Sequence, residues 1–398
     1  MNTITRASHI EAVIKVAERC NINCSYCYVF NKGNETYKGK PAKISRETML
    51  NTIKYLVKGV EDLSAKQLSI IFHGGEPLML GKREFNYFLS EIKPVFENRV
   101  KLRIGVQSNG MLIDEEWINL FTKYEVGVGI SLDGPRDVHD KERRDHKDKG
   151  TYDRTINGLK RLQRAAREGR ITYPGVICVI DPSADGRATY RHFVDNLDIR
   201  GMTFHLPMDT YESFGNKDPM PYAKFLCDVF DEWAKDNNPN IYVRMFEQFL
   251  RFLHGRWLSD TYNLGHTDLQ HITVESDGAI GIDELKPTLQ DDSGYNVAAS
   301  SLAQFVNSDM SYFMRELNHS LPTECMPCIW KRYCRGGLQH GVQVNRWSSN
   351  FGFNNKSVLC EALKKIYAHI TYHAISAGLE EDKLCRSLEQ GDEALPQT

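Results

Sequence analysis

Between residues 10 and 206, short apolar runs alternate with stretches in which apolar residues recur at helical spacing. The runs predict strands at 12–17, 68–73, 102–108, 126–132, 175–180 and 201–206. Helices are expected over 45–60, 84–96, 114–124 and 152–168, with Ser45 ahead of Thr48 and Asp114 ahead of Trp117 as N-caps. Strand–helix alternation repeated through six strands implies parallel strands joined by right-handed crossovers, an α/β fold. Six units are too few for a closed eight-stranded barrel. The expected architecture is an open, partial (β/α)6 barrel with its active site at the C-terminal strand ends.

After Pro207 the period changes. Residues 221–258 read as helices with Phe225, Val229, Phe230, Phe246, Phe249, Leu250 and Leu253 facing a core. From about residue 265 the chain turns short-stranded and loop-rich, with Asp277-Gly278 as a hairpin signal, and then cysteine-dense. Residues 358–377 look helical, and the last twenty are polar and expected to fray.

Charge and cysteine usage narrow the function classes. Fifty Lys and Arg against 52 Asp and Glu give a formal net charge of −2, which offers no global attraction for nucleic acid or an anionic membrane. No apolar run approaches the ~18 residues of a membrane span, and no secretory signal opens the chain. Ten cysteines without an export signal point to a reducing compartment, the cytoplasm, and to metal or catalytic use rather than disulfides.

The cysteines fall into two constellations. Cys20-x3-Cys24-x2-Cys27, followed by Tyr28, sits in the loop after the first predicted strand. Structural zinc needs four protein ligands, and no histidine lies nearby to complete a set. Three thiolates suit a [4Fe–4S] cluster with one iron left open. This loop resembles that of the radical S-adenosylmethionine (SAM) enzymes. Other strand ends agree: His73-Gly74-Gly75-Glu76-Pro77, Gln107-Ser108-Asn109-Gly110, Ser131-Leu132-Asp133-Gly134-Pro135, and the segment His139-Asp140-Lys141-Glu142-Arg143. The resemblance implies that SAM is bound by Tyr26, Gly74, Gly75, Glu76, Ser108, Asn109, Ser131, Asp133 and Arg143. The glycines would allow close backbone approach, Glu76 would accept from the ammonium, and Arg143 would meet the carboxylate.

The second constellation is Cys325-x2-Cys328-x5-Cys334 with Cys360 further on. Four cysteines close a site for zinc or for a second [4Fe–4S] cluster, and the first motif favours iron–sulfur. The stretch resembles the SPASM region of peptide-modifying radical SAM enzymes. Full SPASM domains carry two auxiliary clusters and another cysteine four residues after the third, where this chain has Leu338; Gly281-Ile282-Asp283-Glu284-Leu285 likewise holds no cysteine. One auxiliary cluster is therefore expected. The domain plan that follows is a radical SAM partial barrel over 1–215, a helical connector over 216–264, a SPASM/twitch-like domain over 265–365, and a C-terminal helix and tail over 366–398. Cys178 and Cys227 read as core residues, and Cys385 is given no role.

An auxiliary cluster is useful as an electron acceptor, which favours a net oxidation. The segment from Gly336-Gly337-Leu338-Gln339-His340 to Cys360 resembles maturases that form cyclophanes in ribosomal peptides, joining an aromatic ring to a β-carbon. The barrel motifs also resemble anaerobic sulfatase-maturating, formylglycine-forming enzymes, and thioether-forming sactipeptide maturases are a further option. The non-enzyme alternative is an iron–sulfur or zinc scaffold protein. The resemblance implies a precursor peptide with a leader as substrate and a flavodoxin or ferredoxin-type electron donor. About nineteen residues precede Cys20, so no N-terminal leader-binding domain is expected. The basic stretch 136–170 offers a leader contact or a solvated helix face. Asp209, with His205 and Glu212 nearby, is the candidate proton acceptor; a turn role competes with it.

Overall fold

Each of the six apolar runs forms a strand in the computed structural model of the chain, which describes residues 6–255, 269–281, 293–340 and 343–389. They are β1 (His9–Ala17), β2 (Gln67–Gly74), β3 (Lys101–Ser108), β4 (Gly127–Ser131), β5 (Gly175–Val179) and β6 (Gly201–His205). Three further strands, β7 (Tyr242–Val243), β8 (Leu269–Val274) and β9 (Ile280–Gly281), follow later in the chain. The expected helices form as Arg46–Asp62, Lys82–Phe96, Glu115–Tyr124 and Tyr152–Arg167. Two of them carry the N-caps read from the sequence. Ser45 Oγ accepts from the Thr48 N–H at 3.0 Å, and Asp114 Oδ1 accepts from the Trp117 N–H at 3.1 Å.

The chain divides into two compact units, Met1–Ile177 with His266–Arg315, and Cys178–Gly265 with Glu316–Thr398. Neither is one continuous segment, so the sequential boundaries expected at 215 and 365 do not coincide with theirs.

In the first unit β1 to β5 pair in parallel in chain order, with registers such as Ile10↔Leu68, Leu68↔Leu102, Val106↔Val128 and Ile130↔Val176. β8 adds to the other side of β1, also in parallel, with Ile10↔Gln270. The hairpin turn at Asp277-Gly278 then returns the chain as β9, antiparallel to β8, with Gly278 at φ 84°. β1 is buried along almost its whole length, as a central parallel strand must be. Over the sheet, Phe72, Phe85 and Trp117 pack with ring centroids 4.8 and 5.1 Å apart. Gly59 is where the helix Arg46–Asp62 meets Leu302, since a Cβ there would come within 2.5 Å of Leu302 Cδ2.

In the second unit, β6 pairs in parallel with β7, and the helices Met220–Asp236, Arg244–Leu253 and Cys360–Ser376 supply the core. The helices expected over 221–258 are described as far as residue 255 and are two, Met220–Asp236 and Arg244–Leu253. Asn237, left-handed at φ 42°, ends the first helix, and β7 intervenes before the second. In the second helix Met245, Phe246, Phe249, Phe252 and Leu253 are buried, and Leu250, expected inside, lies at the edge of that face and is only half-buried. The polar C-terminal stretch also departs from expectation, because Glu381–Glu389 is helical. Arg332 donates to the carbonyls of Ser387 and Arg386, and Ser387 Oγ donates to the Leu253 carbonyl. The expectations for 282–285, for the boundary at 264/265 and for 390–398 lie outside the described residues. Among the described residues, no helix is long and apolar enough to cross a membrane.

Candidate functional site

The loop carrying Cys20, Cys24 and Cys27 leaves the C-terminal end of β1, inside the first unit. Two neighbouring segments hold its backbone. The N–H groups of Asn23 and Ser25 donate to the carbonyls of Arg144 and Glu142, and His146 Nε2 lies 2.9 Å from the Cys20 carbonyl oxygen. On the other side, the Gly75 and Glu76 N–H groups donate to the carbonyls of Ala17 and Arg19. The two glycines are required by this approach of the chain to itself. A Cβ on Gly74 would stand 2.1 Å from the Ala17 carbonyl oxygen, and one on Gly75 would stand 2.4 Å from that of Arg19.

Burial dominates the chemistry of the three thiols. It pushes Cys20 up to about 12 and Cys24 to about 11, and it raises Cys27 as well. Neighbouring thiols push the same way, so three anions in this loop need a cation among them. That donor set fits an iron–sulfur cluster with one open iron. Asn109 Nδ2 reaches Asn21 Oδ1 at 2.7 Å and Cys20 Sγ at 3.9 Å, while Arg143 Nη1 lies 3.9 Å from Cys24 Sγ.

Glu76 links the ends of β2 and β3. Its carboxylate accepts from Ser108 Oγ, the Asn109 N–H and the Leu78 N–H at 2.9–3.0 Å. Full burial still pushes it up to about 7 against those three hydrogen bonds. Behind it, Thr155 donates to the Asn109 carbonyl, and Ser131 accepts from Gln107 Nε2 at 2.9 Å.

Asp133 and Arg143 form a buried ion pair, with Nε 2.7 Å from Oδ2. The Tyr26 hydroxyl donates to the same oxygen, and the Arg143 guanidinium stands 5.4 Å over the Tyr26 ring. His139, fully buried, accepts the Asp133 N–H at Nδ1 and reaches Thr151 Oγ1 from Nε2; Thr151 in turn donates to the Arg143 carbonyl. Burial, then Arg143, pulls His139 down to about 3, so the ring is neutral. Arg143, expected to face a cofactor carboxylate, is thus held by Asp133 beside the Cys24 thiol. Asn21, His139 and Thr151 were missed as site residues. His139 lay inside a quoted motif, but nothing in the spacing linked Thr151 to it.

In the second unit, Cys325, Cys328, Cys334 and Cys360 line one cavity of about 90 Å³ with Trp330, Ser357 and Tyr367. Cys360 opens the helix Cys360–Ser376, and Tyr367, two turns on, hydrogen-bonds Cys334. That helical spacing from Cys360 was the signal available for Tyr367. Arg335, Gly336 and Gly337 are left-handed in succession (φ 48°, 75° and 103°), which brings the Gly337 N–H onto the Cys334 sulfur. Burial pushes Cys334 up to about 12 and Cys360 to about 11. Four thiols lining one cavity are a donor set that fits an iron–sulfur cluster.

The remaining expectations divide. Asp209, also in the second unit, is buried and accepts from Ser213 Oγ at 2.9 Å, while Thr210 caps the helical turn Tyr211–Phe214. Asn345 Nδ2 binds the carbonyls of Pro207 and Asp209. Five basic residues of the stretch 136–170 pair within their own unit: Arg136 with Asp153, Arg144 with Asp148, Arg154 with Asp145, and Arg164 and Arg170 with Glu115. Cys178 is fully buried, whereas Cys227, expected in the core, is half-buried.

Residues 14–177 match the Radical SAM superfamily. A cysteine-type anaerobic sulfatase-maturating enzyme of Clostridium novyi is 26% identical over 381 residues, covering 90% of this chain and 94% of the relative. A serine-type enzyme of Bacteroides thetaiotaomicron is 23% identical over 383 residues, covering 88% and 86%. Among solved structures, anSMEcpe with bound AdoMet superposes with a TM-score of 0.79 at 22% identity, over 92% of this chain and 98% of that one. Its form with AdoMet and a Cp18Cys peptide gives 0.77 at 23%, over 93% and 98%. The α/β plan is thus the expected partial barrel of parallel strands, followed by a C-terminal cysteine-containing domain. Residues 14–177 are a radical SAM domain, the kind that takes a [4Fe–4S] cluster and S-adenosylmethionine.

Proposed function

We propose that this chain is a peptide- or protein-modifying radical SAM oxidoreductase that oxidises a substrate side chain at its β-carbon, as a sulfatase-maturating enzyme does on a cysteinyl or seryl residue. One observation carries the reading: an open three-thiol loop and a closed four-thiol cavity occur in a chain that aligns with 94% of a cysteine-type sulfatase-maturating relative. With its cofactors bound, the first site supplies a 5′-deoxyadenosyl radical, which takes hydrogen from an unactivated C–H bond. In the proposed roles, Cys20, Cys24 and Cys27 hold the cluster, and Glu76, Ser108, Asn109, Ser131 and Tyr26 line the SAM side. The Asp133–Arg143 pair supplies fixed charge beside Cys24. After hydrogen loss, the substrate radical must lose one further electron and one proton to give a closed-shell product. Cys325, Cys328, Cys334 and Cys360 are the residues that would hold an electron-accepting iron–sulfur cluster, and Asp209 is the proposed proton acceptor.

A second reading, cyclophane formation, is favoured by the cysteine inventory. Leu338 stands where full SPASM domains place a cysteine, and 269–281 contains none. The two readings share hydrogen abstraction from a β-carbon and separate at the product.

The test is anaerobic turnover on two peptides, one bearing a sulfatase-type cysteine and one bearing an aromatic residue two positions from an aliphatic one. A carbonyl on the first peptide, formed when water hydrolyses the oxidised thioaldehyde and releases hydrogen sulfide, and trapped by a hydrazine, supports the leading reading. A dehydrogenated, carbonyl-free crosslink on the second alone moves the assignment to cyclophane formation. Deoxyadenosine release with neither peptide altered overturns both.

A further inference from the structure

Outside both cysteine sites, one cluster of side chains among the described residues has the chemistry of a metal site. His369 and His373 stand one turn apart on the helix Cys360–Ser376, so their rings share a face. Asp231, on the neighbouring helix Met220–Asp236, points between them. Its Oδ1 lies 2.6 Å from His369 Nε2 and 3.4 Å from His373 Nε2, and all three ligand atoms fall within 4.8 Å of one another. Phe230 fixes both imidazoles edge-on, with ring centroids 5.8 and 5.3 Å away. The three side chains are 23–40% exposed, which leaves room for a water ligand.

We propose that Asp231, His369 and His373 bind a divalent transition ion, zinc or ferrous iron, with solvent completing the coordination. An interhelical ion pair needs one imidazole, and Asp231 already has it in His369. The second Nε2 facing the same oxygen is redundant for a proton but completes the two-histidine, one-carboxylate set that these ions favour. Donor atoms on a common tetrahedral ion lie about 3.3 Å apart, so the carboxylate has to draw back by less than its own bond length. The ion ties the helix that begins at Cys360, a residue lining the four-thiol cavity, to the helix Met220–Asp236. Its role is a clip on the second unit, distinct from both cysteine sets.

The test uses cluster-reconstituted protein, exposed anaerobically to Zn2+ or to Fe2+ alone and then desalted. About one additional ion per chain is expected, with nitrogen and oxygen neighbours at about 2.0 Å by X-ray absorption. Cluster iron and sulfide should stay unchanged. His369→Ala/His373→Ala should lose that ion and keep the clusters. Asp231→Asn, which preserves side-chain shape, should weaken binding at least tenfold. Zinc should raise the melting temperature of the wild type and leave the double variant where it was. The proposal falls if the double variant retains as much added metal as wild type, if the bound zinc has sulfur neighbours, or if wild type retains none. Whether Zn2+ or Fe2+ is kept more tightly identifies the ion.

Discussion

Asp133 carries more of the site than its position in a short motif announced. It neutralises Arg143, receives the Tyr26 hydroxyl, and donates its own N–H to His139. Asp133→Asn leaves a guanidinium buried without its charge partner, which costs roughly 3–5 kcal/mol. Urea unfolding should register that loss, and SAM binding should fall with it. His139 gives the protein an acid limit. Its folded value of about 3 lies below the ordinary 6.5, so below 6.5 the unfolded chain binds a proton that the folded one does not. Stability is lost as pH falls from 6.5 towards about 3, by at most about 1.4 kcal/mol per pH unit. His139→Gln should flatten that slope in unfolding midpoints followed across the interval. Asp209→Asn should stop product formation while deoxyadenosine release continues; unchanged product yield removes Asp209 as the proton acceptor.

At the scale of elements, both cysteine sites depend on turns that only glycine permits. Gly337 sits at φ 103°, and a Cβ there would meet Ser357 Cβ at 3.0 Å. Gly337→Ala therefore has to move the backbone that aims an N–H at Cys334. The expected result is loss of the second cluster with the first retained, read as iron and sulfide per chain. The elements themselves were largely legible. Caps at Ser45 and Asp114, apolar runs for β1 to β6, and the Asp277-Gly278 turn are local patterns, and local patterns survive folding. The misreadings came where the signal was not local. Leu250 was placed inside because it falls one turn after Phe246, and spacing alone does not show where the buried face of a helix ends. The helix Glu381–Glu389 was missed because what holds it, Arg332 and the Leu253 carbonyl, lies far away in sequence.

Across the whole molecule, the two cysteine sets belong to separate compact units. Loss of one set should therefore leave the other intact. Anaerobic reconstitution should give about eight irons per chain, falling to about four in Cys325→Ala/Cys328→Ala and also in Cys20→Ala/Cys24→Ala. Zinc in place of iron at the second set would remove the electron acceptor and, with it, the argument for a net oxidation. The units are discontinuous because β8, after more than 250 intervening residues, returns to pair with β1. No hydrophobic pattern reports which strand edge a late strand will join.

Spacing along the chain was enough to single out Cys20, Cys24 and Cys27 and the run Cys325, Cys328 and Cys334, because each lies on one short segment; Cys360, 26 residues beyond Cys334, joins their cavity only through the fold. Alternating strands and helices were enough for the α/β class. Three features were decided only by packing. The glycines of Gly74-Gly75 make room for the chain's own backbone, Arg143 is held by Asp133, and two histidines meet an aspartate across two helices. Each depends on atoms from distant segments arriving within a few ångströms, and sequence order does not encode that distance.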